Sequence, residues 1–221
     1  MPQRPRTAVL FFSRTAVAEA RAKTFGSGRH AGRIAAALER RTLRTLAAAG
    51  LSVFRSHEAN QRGTHFGQRL ATAIGRVLSR GIDRVLVVGN DCPRLSARQL
   101  RSAARRLEAG RPVLGPDARG GVYLIGLHRA DFRAAAFAAL PWETDRVAQA
   151  LNELFPAGTL LRPLKDYNTL ADLRRDAWTL LAVLAELAGL LSDEDSLPVA
   201  TGPRAAPRTG ARYGRPPPVH A

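Results

Sequence analysis

Apolar residues along this chain fall into two kinds of pattern. In the first, they form short unbroken runs at residues 8–12, 85–88 and 122–127, the pattern of strands buried on both faces. Shorter β-type runs at 51–55, 113–114 and 159–161 read the same way. In the second, apolar positions recur every three or four residues. Residues 29–49 carry Ile34, Leu38, Leu43 and Leu46 near helical spacing and stop at Gly50, and residues 66–80 stop at Gly81. A third helix is predicted from Ser96, as N-cap, to Glu108, and a fourth over 144–154. Strand and helix alternate, which predicts an α/β fold: a mainly parallel sheet with helices on both faces.

Beyond Asp166 the pattern turns helical, and residues 170–191 form a long apolar, alanine-rich stretch that includes Trp178. From Ser192 the composition shifts to Pro, Gly, Arg and acidic residues, which offer too little apolar surface to pack and predict a disordered tail. The expected organisation is one α/β domain over 1–175, a C-terminal helix over 176–191 and a tail over 192–221. A length of 221 residues suits a single domain of this kind.

No apolar run reaches the ~18 residues of a membrane span, and the run at 8–12 is short for the core of a secretion signal. Cys92 is the only cysteine, so no intrachain disulfide can form, and a reducing cytoplasm is the expected compartment. The net charge of +16 raises the question of polyanion binding. Only Lys23 and Lys165 among the 34 basic residues are lysines, and arginines are spread over nearly every segment beside abundant alanine. That bias fits GC-rich coding as well as it fits a binding surface, and aromatics at 6% are sparse for a base-stacking platform. Nucleic acid is not the expected partner.

The chemistry starts at "VLVVGNDCPRL", where Asp91 follows a buried strand. Ligands of open α/β sheets bind beyond the carboxyl ends of strands. A carboxylate there can hold magnesium or manganese against a diphosphate, or it can cap its own turn. The five histidines lack zinc-ligand spacing, and no serine sits in a G-x-S-x-G context. "GSGRHAG" does not directly follow a strand, which argues against a dinucleotide loop.

The separated stretches "GNDCPRLSARQL", "VLGPDARGGVYLIGL", "LPWETDRV" and "LKDYNTLADL" resemble the radical-SAM/selenodomain-associated transferases. That family has the glycosyltransferase-A-like fold of nucleotide-diphosphate-sugar transferases, similar to the guanylyltransferases of molybdenum-cofactor and phospholactate metabolism. The resemblance covers about residues 7–175. It implies a nucleotide sugar as donor, with an acceptor the residues do not name, or alternatively nucleotidyl transfer from a nucleoside triphosphate. It places Asp91 and Asp166 at a magnesium or manganese site. Arg14 and Lys23 in "RTAVAEARAKTF" fall where the family has a phosphate-handling loop. Gln61 and Arg69 in "QRGTHFGQRL", together with Asn90, Gly120, Gly121, Trp142 and Thr144, fall at nucleotide-binding positions, and Glu143 or Asp145 beside Trp142 is the candidate base. Three family carboxylates are replaced, by His65, Arg119 and Asn168, so weaker metal dependence is expected, with Arg119 supplying fixed positive charge. A fold-only, non-catalytic binding protein is the rival reading.

Overall fold

The computed structural model describes residues 6–181 and 185. Strand β1 (Thr7–Phe12) leads through helix α1 (Ala16–Ala22) into the long α2 (Gly28–Ala49). Then come β2 (Ser52–Ser56), α3 (Phe66–Leu78), β3 (Arg84–Val88), α4 (Ala97–Glu108), β4 (Val113–Pro116) and β5 (Val122–His128). A 3-10 turn at Arg129–Asp131 precedes α5 (Ala134–Ala138), α6 (Val147–Leu154), β6 (Thr159–Leu160), α7 (Leu170–Arg175) and α8 (Ala177–Leu181).

The six strands form one sheet in the order β2-β1-β3-β5-β4-β6. β1 pairs in parallel with both β2 and β3, and β4 with β6, while β5 runs antiparallel between β3 and β4. Alternation within the apolar runs divides the core. Ala8, Leu10, Val85 and Val87 face Leu70, Ile74 and Val77 of α3 and Leu151 of α6. Val9, Phe11, Leu86 and Val88 face Leu46 at the end of α2 and Leu100, Ala103 and Leu107 of α4. Both faces are covered, which is why these strands read as unbroken apolar runs. A third cluster seats Ile34 and Leu38 of α2 against Tyr167, Leu173 and Leu180.

Ser96 caps α4 as expected, within a capping box shared with Gln99. Ser96→Ala should therefore cost about 1 kcal/mol in urea denaturation.

Three sequence expectations need correction, and one helix is an addition to them. The stretch expected as a phosphate-handling loop forms α1, capped by Thr15, whose own N–H and hydroxyl donate to Glu58. α5 was not predicted. The helix expected from residue 144 starts at Val147, because Glu143 takes a left-handed φ of 63° and the Thr144 hydroxyl donates to the Pro141 carbonyl. The long helix expected over 170–191 is broken at Asp176, whose carboxylate accepts hydrogen bonds from Lys165 and the Tyr167 hydroxyl. The rest of that helix, residue 185 apart, and the expected tail lie outside the described residues.

Candidate functional site

The parallel neighbours β1 and β3 end side by side, so Ser13 and Arg14 emerge next to Gly89, Asn90 and Asp91. A cleft of about 180 Å³ opens there. The segment 164–170 is tied to the ends of β4 and β3 and to the start of the loop after α1: the Leu164 N–H donates to the Pro116 carbonyl, Tyr167 to Asp91, and Leu170 to Thr24.

One wall of the cleft is aromatic. Phe66 stacks edge-on against Phe12 at 5.6 Å and lies 5.4 Å from Trp142, which in turn sits 5.0 Å from Phe137. The indole N–H of Trp142 donates to the Phe137 carbonyl at 2.8 Å. A Cβ at Gly67 would lie 2.5 Å from the indole, so this glycine lets Trp142 seat on α3. The same lining also carries basic and polar groups. Arg14, half-exposed, reaches Glu19 at 3.5 Å. Arg69 leans on the Thr64 carbonyl, and the Gln61 amide donates to the carbonyls of Ser13 and Ser56, tying the rim together. Asn90 is buried in the lining.

Beneath the cleft lies Lys23, whose side chain is only 8% exposed. Its ammonium pairs with Asp91 Oδ1, with Glu19 at 3.0 Å and with the Tyr167 carbonyl at 3.1 Å. Burial works to lower the Lys23 pKa, but the carboxylates of Asp91 and Glu19 outweigh it, and the net shift is upward. Lys23 is a charged internal cation with two hydrogen bonds and a further ion pair with Glu19.

A smaller cavity of about 70 Å³ adjoins the cleft between Asp91, Cys92, Asp117, Tyr123 and Asp166. Tyr123 lines both spaces, and its hydroxyl donates to the Arg162 carbonyl. Burial pushes that phenol up to about 12. Burial likewise raises the Cys92 thiol well above its usual range, which leaves it a poor nucleophile. Asp117 accepts the backbone N–H groups of Arg119 and Gly121, so it organises the turn between β4 and β5.

Of the residues expected at the site, Arg14, Gln61, Arg69, Asn90, Asp91 and Trp142 line the cleft together. Asp166 lies in the adjoining cavity. Arg119 is drawn elsewhere: its guanidinium donates to Asp172 at 2.7 Å and lies 3.8 Å from Asp166. Gly120 packs against the backbone of Asp145, and Gly121 against the Asp117 carboxylate. Glu143, Thr144 and Asp145 are exposed and outside the cleft lining. His65, standing where the resemblance expects an aspartate, caps α3 through Nδ1, which accepts from the Gln68 N–H. Glu19 escaped the sequence reading, although an acid four residues before Lys23 is the signal of a helical ion pair.

The residues present do not fit a divalent metal at the expected place. Asp91 Oδ1 is taken by Lys23, Asp166 Oδ2 accepts from the Asn168 amide, and a guanidinium stands beside Asp166. Among the described residues, no three His, Cys, Asp or Glu side chains are grouped to hold a metal ion.

Comparison with known families matches residues 27–144, just over half of the chain, to the family described as "uncharacterized protein conserved in bacteria" (DUF2064). The chain belongs to this family. Among solved structures, this DUF2064 member is similar to a protein provisionally described as a nucleotide-diphospho-sugar transferase, from Desulfovibrio desulfuricans G20. The identity is 21%, the match covers 85% of this chain and 97% of that one, and the TM-score is 0.72. That likeness establishes the fold: a glycosyltransferase-A-like α/β sheet. A cytidylyltransferase from Leptospira borgpetersenii matches at 13% identity over 86% of this chain and 98% of that one, with a TM-score of 0.45. The manganese complex of Rv0371C from Mycobacterium tuberculosis H37Rv matches at 17% over 78% and 97%, also with a TM-score of 0.45. No curated protein matches the sequence. Among the described residues, no helix is long and apolar enough to cross a membrane.

Proposed function

We propose that this DUF2064 member is a transferase that takes a nucleotide-diphosphate sugar in the cleft beyond β1 and β3. One observation carries the reading: Phe66 and Trp142 line one cleft together with two arginines, Arg14 and Arg69, at the ends of a parallel strand pair. An aromatic pair of that kind suits a nucleobase or sugar ring, and guanidinium forks suit phosphate oxygens. The resemblance to the radical-SAM/selenodomain-associated transferases supports the same class.

In the proposed reaction an acceptor oxygen attacks the anomeric carbon, and the bond to the diphosphate breaks. The electron pair leaves with the nucleoside diphosphate, where Arg14 and Arg69 stabilise the developing charge. The acceptor proton passes to a carboxylate. Asp91 is in place for this, since it lines the cleft with its side chain 43% exposed, against 4% for Glu19.

A thermal-shift screen of nucleotides and nucleotide sugars tests the reading, because a ligand of the native state alone raises the melting temperature. A shift with at least one nucleotide sugar is expected. Arg14→Ala and Arg69→Ala should each weaken that ligand about 10- to 100-fold, the scale of one hydrogen bond to a charged group. A response to nucleoside triphosphates alone would redirect the assignment to nucleotidyl transfer. No response to any of them would leave a non-catalytic protein of the same fold.

A further inference from the structure

We infer that the Lys23 ammonium is the built-in cation of this cleft, occupying the position between Asp91 and Glu19 that a divalent metal would otherwise take. An ammonium has three protons to donate. Here it donates to Asp91 Oδ1 and to the Tyr167 carbonyl at 3.1 Å, and it forms an ion pair with a Glu19 carboxylate oxygen at 3.0 Å. Two carboxylates and a carbonyl are also the hard oxygen set that magnesium or manganese selects.

The cage is built from three separate parts of the chain and held in place by each. Glu19 and Lys23 belong to α1 and its C-cap, so their spacing is fixed by the helix. Asp91 follows β3, and its carbonyl accepts the Tyr167 N–H at 2.9 Å, which fixes the Tyr167 carbonyl against the same cation. The fourth side is the Phe25 ring, 5.6 Å from the ammonium.

Charge decides the occupant. The two carboxylates carry two negative charges, and Lys23 supplies one positive. Arg14, 3.5 Å from the second Glu19 oxygen, supplies the other. The cluster is neutral and offers a divalent ion neither a free ligand set nor net attraction. Without Lys23 the same cluster would be left with a net negative charge, because Arg14 compensates only one of the two carboxylates. Arg119 does not serve this purpose, because its guanidinium is committed to Asp172 and lies beside Asp166. A consequence, resting on the nucleotide reading above, is that ligand binding proceeds without metal.

The test is a manganese titration of the full chain, read by electron paramagnetic resonance and by melting temperature, with manganese as the only probe. Wild type should bind no manganese below about millimolar concentration and melt alike in manganese and in EDTA. Lys23→Ala should gain one site. If 1 mM manganese stands about a hundredfold above the dissociation constant, its melting temperature should rise by about 5 °C or more. Adding Asp91→Asn or Glu19→Gln to Lys23→Ala should abolish the gain. Should Lys23→Ala fold only when manganese is present, that dependence is the same gain read another way. The inference is overturned if wild type binds one manganese that Asp91→Asn removes. It is equally overturned if Lys23→Ala folds without gaining a site, or does not fold even with manganese. None of these readouts uses a nucleotide, so a failed nucleotide screen counts against the proposed function and leaves the cation assignment standing. A nucleotide-induced shift in wild type that vanishes in EDTA would defeat the metal-independence.

Discussion

Gly120→Ala is expected to destabilise the protein by about 3 to 5 kcal/mol, the sum of a strained left-handed residue and an overpacked contact. Gly120 has φ 87°, and a Cβ placed on it would lie 1.9 Å from the Asp145 carbonyl oxygen and 2.7 Å from its carbon. Both obstacles are backbone, so no side chain can rotate away. The Gly120 carbonyl also accepts the Ala148 N–H at 2.8 Å, pinning the turn between β4 and β5 to the start of α6. Gly81→Ala supplies the comparison. Its φ is 78°, yet nothing lies within 4 Å of an added Cβ, so only the backbone strain of about 1 to 2 kcal/mol remains. Urea denaturation of both variants separates the terms. Equal costs would mean that the turn yields freely and that the contact with Asp145 does not constrain it.

Asp172→Asn should cost about 2 kcal/mol at pH 7, with a loss that shrinks as the medium becomes acidic. Asp172 is 4% exposed and caps α7 in a box with Thr169, while also accepting from Arg119 and the Asn168 N–H. Burial alone would raise its pKa, but the hydrogen bonds from Arg119, Thr169 and Asn168 prevail and hold the carboxyl at about 2. The folded value lies below the unfolded one, so this stabilisation is fully present above about pH 4 and disappears as pH falls through about 2. At pH 3 the gap between wild type and Asp172→Asn should be about half its value at pH 7. A gap of constant size across that range would show that the variant loses packing or geometry and not the charge.

The strands β1, β3 and β5 were legible because they are buried on both faces and appear as apolar runs, and the caps at Ser96 and Gly50 were legible because capping is local. The direction of β5 was also written in the chain, though not read from it. Only residues 117–121 separate β4 from β5, and a parallel crossover needs about a dozen residues or more. α1 was hidden behind a resemblance that supplied a loop in its place, and α5 is too short to build a periodic signal. Arg14, Gln61, Arg69, Asn90, Asp91 and Trp142, each within or beside a recognisable motif, come together in the lining of one cleft. The partner choices were not legible. Lys23 meets Asp91 across 68 positions and Arg119 meets Asp172 across 53, and pairings of that range are decided by topology. Reading Arg119 as a phosphate contact overlooked the buried acid waiting for it on α7.

Tyr123 stands between the two cavities on a floor that has no room for a side chain: a Cβ at Gly115 would lie 2.5 Å from its ring. The bulge in the pairing at Gly115 and Pro116 occurs at the same place. These two positions are therefore bound to a shared history. Among relatives, a residue larger than glycine at 115 should be found only where the aromatic ring at 123 has already been lost.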